Sequence, residues 1–189
     1  MAIRLHYNAP VILTFSLIAT GTYFLNASTN GSLNSLVSVP GNFNATSIMD
    51  YLSLFLYVFG HANIDHLLGN MSFMLLLGPI VEEKYGGAKL LIMILLTALV
   101  TAILNILFFH EGLWGASGIV FMLILLVSFS NSQQGKIPLT FILILLLFIG
   151  KEVYNSTQAD NISQFAHIVG GIIGSVFGFL LSKRTSSVN

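Results

Sequence analysis

The 189-residue sequence contains no cysteine, and only 7% of its residues are charged. The first absence excludes a disulfide scaffold, a thiolate metal site and a cysteine nucleophile. The second says more. A soluble globular domain carries about 25% charged residues, and a water-facing surface cannot be built from 7%. The charges that exist cancel, seven basic against seven acidic, so there is no basic surface for nucleic acid. In their place stand 55% hydrophobic residues and a mean hydropathy of +0.87. Disordered chains, collagens and ordinary soluble enzymes are thereby excluded, and an all-α polytopic membrane protein remains.

A spanning helix needs about 20 mainly apolar residues. Six stretches meet that description, at about 10–25, 66–81, 88–109, 116–130, 138–154 and 163–181, with residues 51–59 as an apolar lead-in to the second. Six spans take up about 120 residues. The remainder is loops and short tails, so residues 1–189 are expected to form one six-helix transmembrane domain. The first stretch reads as a retained span, because no small-x-small cleavage site follows Leu25. With six crossings, Arg4, Lys84, Lys89, Lys136, Lys183 and Arg184 share one side, and only Lys151 falls on the other. Short-loop Lys and Arg favour the cytoplasm. Both termini are therefore expected inside, and the long 26–50 loop, which holds no Lys or Arg, outside.

Polar groups within a bilayer are costly and by default point to function. His66 and Asn70 stand at the start of the second stretch, Ser117 at the start of the fourth and His167 near the start of the sixth. All three stretches run inward from the outer side, so the four side chains are expected at one depth, just below the outer surface. Ser117 lies in Trp114-Gly115-Ala116-Ser117-Gly118, where small residues permit a tight turn. A helix start there offers free N–H groups able to hold an oxyanion. The same serine also reads as a plain helix cap. The fourth stretch is too short for the ~30 Å hydrocarbon core, so residues 112–114 are expected to dip inward, which irregular backbone tolerates only inside protein or beside a water-filled cavity.

His167 is followed by Gly170 and Gly174 on its own helix face, and small residues at that spacing let another helix come close. If that helix carries Gly115 and Gly118, Ser117 and His167 come within reach of each other. The alternative is a histidine bonded to a neighbouring carbonyl, with the glycines serving packing alone. His66 and Asn70 share one face and are able to donate to a developing negative charge, or to clamp two helices together. Phe121, one turn after Ser117, is placed to stack on His167 or to fill the core. His61 reads as a loop tether, and His6 and His110 carry no pattern.

Several chemistries fail on residue types. There is no His-Glu-x-x-His string for a zinc protease, no phosphate loop and no dinucleotide fingerprint. No acidic pair lies inside the stretches, and Asp65 is the only acid close to the polar cluster. Paired broken helices with buried charges, the mark of many transporters, are missing. Acyl transfer by a Ser–His pair survives.

The chain resembles the rhomboids, a family of intramembrane serine proteases. The resemblance rests on His66-Leu67-Leu68-Gly69-Asn70, on Gly115-Ala116-Ser117-Gly118, on Ala166-His167 followed by Gly170 and Gly174, on His61, and on Gly78-Pro79-Ile80-Val81-Glu82-Glu83-Lys84-Tyr85-Gly86. It covers about 61–178, in the basic six-span form. It implies a Ser–His dyad with no third acid: Ser117 as nucleophile, His167 as general base and then acid, His66 and Asn70 with the Ser117 N–H as oxyanion hole, and Gly115, Phe121, Gly170 and Gly174 in support. It implies no metal and no cofactor. Substrates would be transmembrane segments of other proteins in the lipid bilayer, reached past the 138–154 span and the 112–114 loop. The compact form suits a bacterial inner membrane. Two departures stand out. The Trp-Arg pair that many relatives carry in the first outer loop is absent, and Phe121 stands where some relatives have Tyr. The rival readings are a non-catalytic rhomboid-like protein that binds transmembrane clients and, more distantly, a small transporter.

Overall fold

The computed structural model describes residues 6–129, 137–155 and 164–184. Backbone polar groups in lipid must be satisfied within the chain, and the apolar stretches accordingly fold as helices. In order these are α1 (Pro10–Ser28), α2 (Ile48–Leu56) with a 3-10 turn (Tyr57–Phe59), α3 (Ile64–Tyr85), α4 (Gly87–Phe108), α5 (Ser117–Phe129), α6 (Leu139–Asn155) and α7 (Gln164–Arg184). Among the described residues there is no strand beyond one isolated backbone bridge, Val39 with Leu113. Helices α1, α3 and α4 have the length and apolar composition of a membrane crossing.

Six of these helices overlie the six apolar stretches to within a few residues. Residues 51–59 do not lead into the second span. They belong to α2 and its 3-10 turn, a separate element. Ser47 caps α2 by accepting from the Asp50 N–H at 3.3 Å, and Asp50 Oδ2 accepts from the Asn44 N–H at 2.8 Å. The Asn44 N–H and, after it, the Ser47 hydroxyl hold the Asp50 carboxyl below the ordinary carboxylate range. At Gly60 the chain leaves the 3-10 turn, and a side chain there would strike the Val37 carbonyl. Asn63 then starts α3 afresh, its side chain accepting from the His66 N–H at 2.8 Å.

Helix α5 is the centre of the bundle. Its Ile119, Met122, Leu123, Leu125 and Leu126 are all fully buried, with α3, α4, α6 and α7 around it. The tightest pairing is α5 with α7. A Cβ on Gly170 would strike the Gly118 carbonyl and lie 2.8 Å from the Gly118 Cα, and one on Gly174 would lie 2.8 Å from the Met122 Cα. Helix α1 is held to α3 by a carboxylate. Buried Glu82 accepts from the N–H groups of Val11 and Ile12, both at 3.0 Å, and so places an anion on the free amides and positive dipole end of α1.

The loops beside the head of α5 are tied together. Val39 and Leu113 exchange backbone hydrogen bonds of 2.9 and 3.1 Å, and the Gly115 N–H donates to the Tyr57 carbonyl at 3.0 Å. Leu113 is buried, so its side chain turns into the protein, while Gly112 before it stays exposed.

Candidate active site

Helix α3 carries His66 and Asn70 one turn apart near its N-terminus, and Ser117 is the first residue of α5. What joins them is Gly115. Its φ of +103° lies in the left-handed region, which L side chains rarely adopt. A Cβ at this position would also sit 2.6 Å from His66 Cε1 and 3.6 Å from Asn70 Nδ2. Both the turn and the close approach therefore require glycine. On the other side of α5, a Cβ on Gly118 would meet the Ala166 carbonyl at 3.0 Å, which brings His167 alongside the head of α5.

The result is a cavity of about 380 Å³. Ser117, His167, His66, Asn70, Gly69 and Asp65 line its polar part, and Phe73, Val120, Phe121, Ile124 and Leu147 its apolar part. Walls come from α3, α5, α6 and α7. Ser117, His167 and Asn70 are buried, His66 is half-buried and Asp65 is exposed. The Phe121 ring lies against the His167 imidazole, centroids 4.4 Å apart and planes tilted by 39°. Gly170 and Gly174 stand at the α5–α7 contact rather than in the cavity lining.

Two imidazoles shape the donor set. His61 is buried. Its Nδ1 is 3.3 Å from the Phe59 carbonyl oxygen, and its Nε2 is 3.1 Å from Asn70 Nδ2. A carbonyl only accepts, so the hydrogen sits on Nδ1, and Nε2 accepts from the Asn70 amide. That bond orients Asn70 and leaves a second N–H on the same nitrogen. Burial first, and then the nearby His66 ring, pull the His61 imidazole down to about 4, with the Phe59 carbonyl working against both. His61 and His66 rings meet edge to face at 5.1 Å. His66 Nε2 is buried and has no hydrogen-bond partner among the described residues. Buried polar atoms are nearly always satisfied, so this nitrogen, lying against Gly115, marks a place where an acceptor is wanted.

The cavity thus gathers a hydroxyl, an imidazole, two side-chain donors and the first free amides of α5, an inventory suited to acyl transfer. Among the described residues no group of three or more His, Asp or Glu side chains converges as metal ligands. Residue types do not reveal two features of the site. The hold of His61 on Asn70 depends on a loop conformation. The walls from Phe73, Val120, Ile124 and Leu147 are apolar like their lipid-facing neighbours.

The sequence profile of the Rhomboid domain matches residues 49–184. RHOMBOID-like protein 2 of Arabidopsis thaliana is 32% identical over 134 residues, 66% of this chain and 40% of the relative. The rhomboid protease GlpG of Haemophilus influenzae is 26% identical over 126 residues, 65% of this chain and 66% of the relative. Rhomboid-related protein 1 of Caenorhabditis elegans is 29% identical over 136 residues, 66% of this chain and 38% of the relative. The chain therefore spans between 38% and 66% of the length of these curated relatives.

Proposed function

The chain belongs to the rhomboid family and is an integral membrane protein, and from that premise we propose that it is an intramembrane serine endopeptidase cutting transmembrane segments of other membrane proteins. The observation that carries this reading is the meeting of Ser117, His167, His66 and Asn70, from three helices, in one cavity with apolar walls. In the proposed mechanism Ser117 Oγ attacks the scissile carbonyl carbon while His167 takes its proton, since a free hydroxyl is a weak nucleophile near neutral pH. The carbonyl oxygen becomes an oxyanion facing the Ser117 N–H, His66 Nε2 and Asn70 Nδ2. A neutral His66 with its hydrogen on Nε2 is a donor without an acceptor, and the oxyanion fills that want. As the tetrahedral species collapses, the C–N bond breaks and His167 returns its proton to the leaving amine. Water then attacks the acyl-enzyme with His167 again as base. Phe121 holds the imidazole by its face in place of a third acid.

The remaining parts of the proposal follow the charges and the resemblance. The bundle crosses the bilayer six times with both termini on the cytoplasmic side. Leu147 places α6 at one wall of the cavity, and that helix yields to admit substrate from the lipid. Movement of the 112–114 loop requires breaking its bridge to Val39.

The test is a fluorophosphonate probe on purified protein in liposomes, with a reporter transmembrane substrate alongside. Wild type is expected to label and to cleave, and Ser117→Ala and His167→Ala to do neither while remaining folded. Asn70→Ala is expected to keep the label and lose up to about 10²–10³-fold in turnover, less where His66 and the backbone share the load. A folded wild type that neither labels nor cleaves would overturn the protease and favour the non-catalytic, client-binding reading.

A further inference from the structure

Among the described residues, Asp65 is the one acidic side chain in the lining of the cavity. The walls deeper in are apolar, and the other polar lining groups already have parts in the proposed chemistry. Asp65 directly precedes His66 in the first turn of α3. Its carboxylate is exposed, and among the described residues it has no hydrogen bond or ion pair with another side chain. An acid in a first turn does favour the helix dipole, but that role is met anywhere on the turn and does not require a place in the cavity. At this place the charge has two consequences. It lies one residue from a side chain assigned to the oxyanion, where an unneutralised negative charge opposes the one that develops. Its field also acts beside low-dielectric walls, where charges interact more strongly than in open water.

We propose that Asp65 is a specificity-determining residue that selects substrates carrying a lysine or arginine next to the scissile bond. This rests on the protease reading above. A basic side chain there pairs with the Asp65 carboxylate and at the same time removes its repulsion of the oxyanion. A substrate glutamate adds a second repulsion. A neutral residue is intermediate.

The experiment uses three reporter transmembrane substrates differing only in one residue beside the cleaved bond, Lys, Gln or Glu, with the protein in liposomes. Wild type is expected to cut in the order Lys, Gln, Glu, with kcat/KM for Lys over Glu about tenfold, the scale of a partly screened charge pair gained against one opposed. Asp65→Asn is expected to bring that ratio close to one, and Asp65→Lys to invert it. High salt is expected to shrink the wild-type ratio, a measurement that needs no variant. A dipole role alone alters folding but moves none of these ratios. A Lys-to-Glu ratio unmoved by Asp65→Asn and by salt, in protein that cleaves and takes the fluorophosphonate label, overturns the role of Asp65 alone. Absence of both cleavage and label overturns the protease reading, and the selectivity falls with it.

Discussion

His61 shows how much a single proton position determines at this site. With its hydrogen on Nδ1 it donates to Phe59 and accepts from Asn70. A protonated imidazole carries hydrogens on both nitrogens, so it faces the Asn70 amide donor to donor and the amide must turn away. Burial resists that state, and the imidazole sits at about 4 against about 6.5 in an unfolded chain. The unfolded chain therefore binds the proton first. The stability this neutral histidine contributes is complete above about pH 6.5 and is lost as pH falls from there towards 4. Thermal unfolding in detergent between pH 7.5 and 4 is expected to show the midpoint falling across that window, with a smaller fall for His61→Gln, whose amide oxygen still accepts from Asn70. Turnover of His61→Ala, which has no acceptor, is expected to drop by about tenfold or more at neutral pH through a misaligned oxyanion donor. His61→Gln is expected to recover part of it.

At the scale of elements, the α5–α7 pair sets the site, and it does so through missing side chains. Gly170 rests on the backbone of Gly118, one residue from Ser117, and Gly174 on that of Met122. Because the obstacle is backbone rather than a flexible side chain, α7 must move to admit even a methyl group. Gly170→Ala is expected to cost about 1–3 kcal/mol, the range of overpacking, and to separate the cavity walls, so that probe labelling falls with stability. Gly21→Ala and Gly150→Ala are the controls. Among the described residues nothing lies within 4 Å of a Cβ at either position, so each is expected to hold or to gain slightly through helix propensity. Unfolding midpoints of the three variants decide it, and equal behaviour would dismiss close packing as the reason for Gly170. Helix α2 follows a different rule. It leaves Ile48, Met49, Tyr51 and Leu52 exposed while burying Leu54, and its independence from α3 comes from the Ser47 cap and from the tight passage at Gly60.

For the whole molecule, the uneven placement of seven basic residues is the physical cause of the proposed orientation. The absence of native cysteine makes that orientation easy to read. Single cysteines introduced at Ser32, in the 26–50 loop, and at Glu83, at the far end of α3, are expected to react with a membrane-impermeant thiol reagent from opposite sides of intact cells, Ser32→Cys from outside alone. Labelling of both from the same side would overturn the six-crossing arrangement. The carboxylate of Glu82 on the start of α1 and the Val39–Leu113 bridge hold opposite ends of the molecule.

The sequence by itself determined the class of molecule. With so little charge the chain has no water-facing alternative, and lipid forces apolar stretches into helices, which is why the helices fall within a few residues of the stretches read from composition. It also showed Ser117, His66, Asn70 and His167 near the starts of three of those stretches, because polar residues in an apolar background are conspicuous. Tertiary structure decided the rest. Hydropathy does not distinguish a lipid neighbour from a protein neighbour, so Phe73 and Leu147 became cavity walls only when α3 and α6 were placed around α5. The separation of α2, the acceptor that His61 turns towards Asn70 and the left-handed turn at Gly115 all depend on backbone brought together from distant parts of the chain.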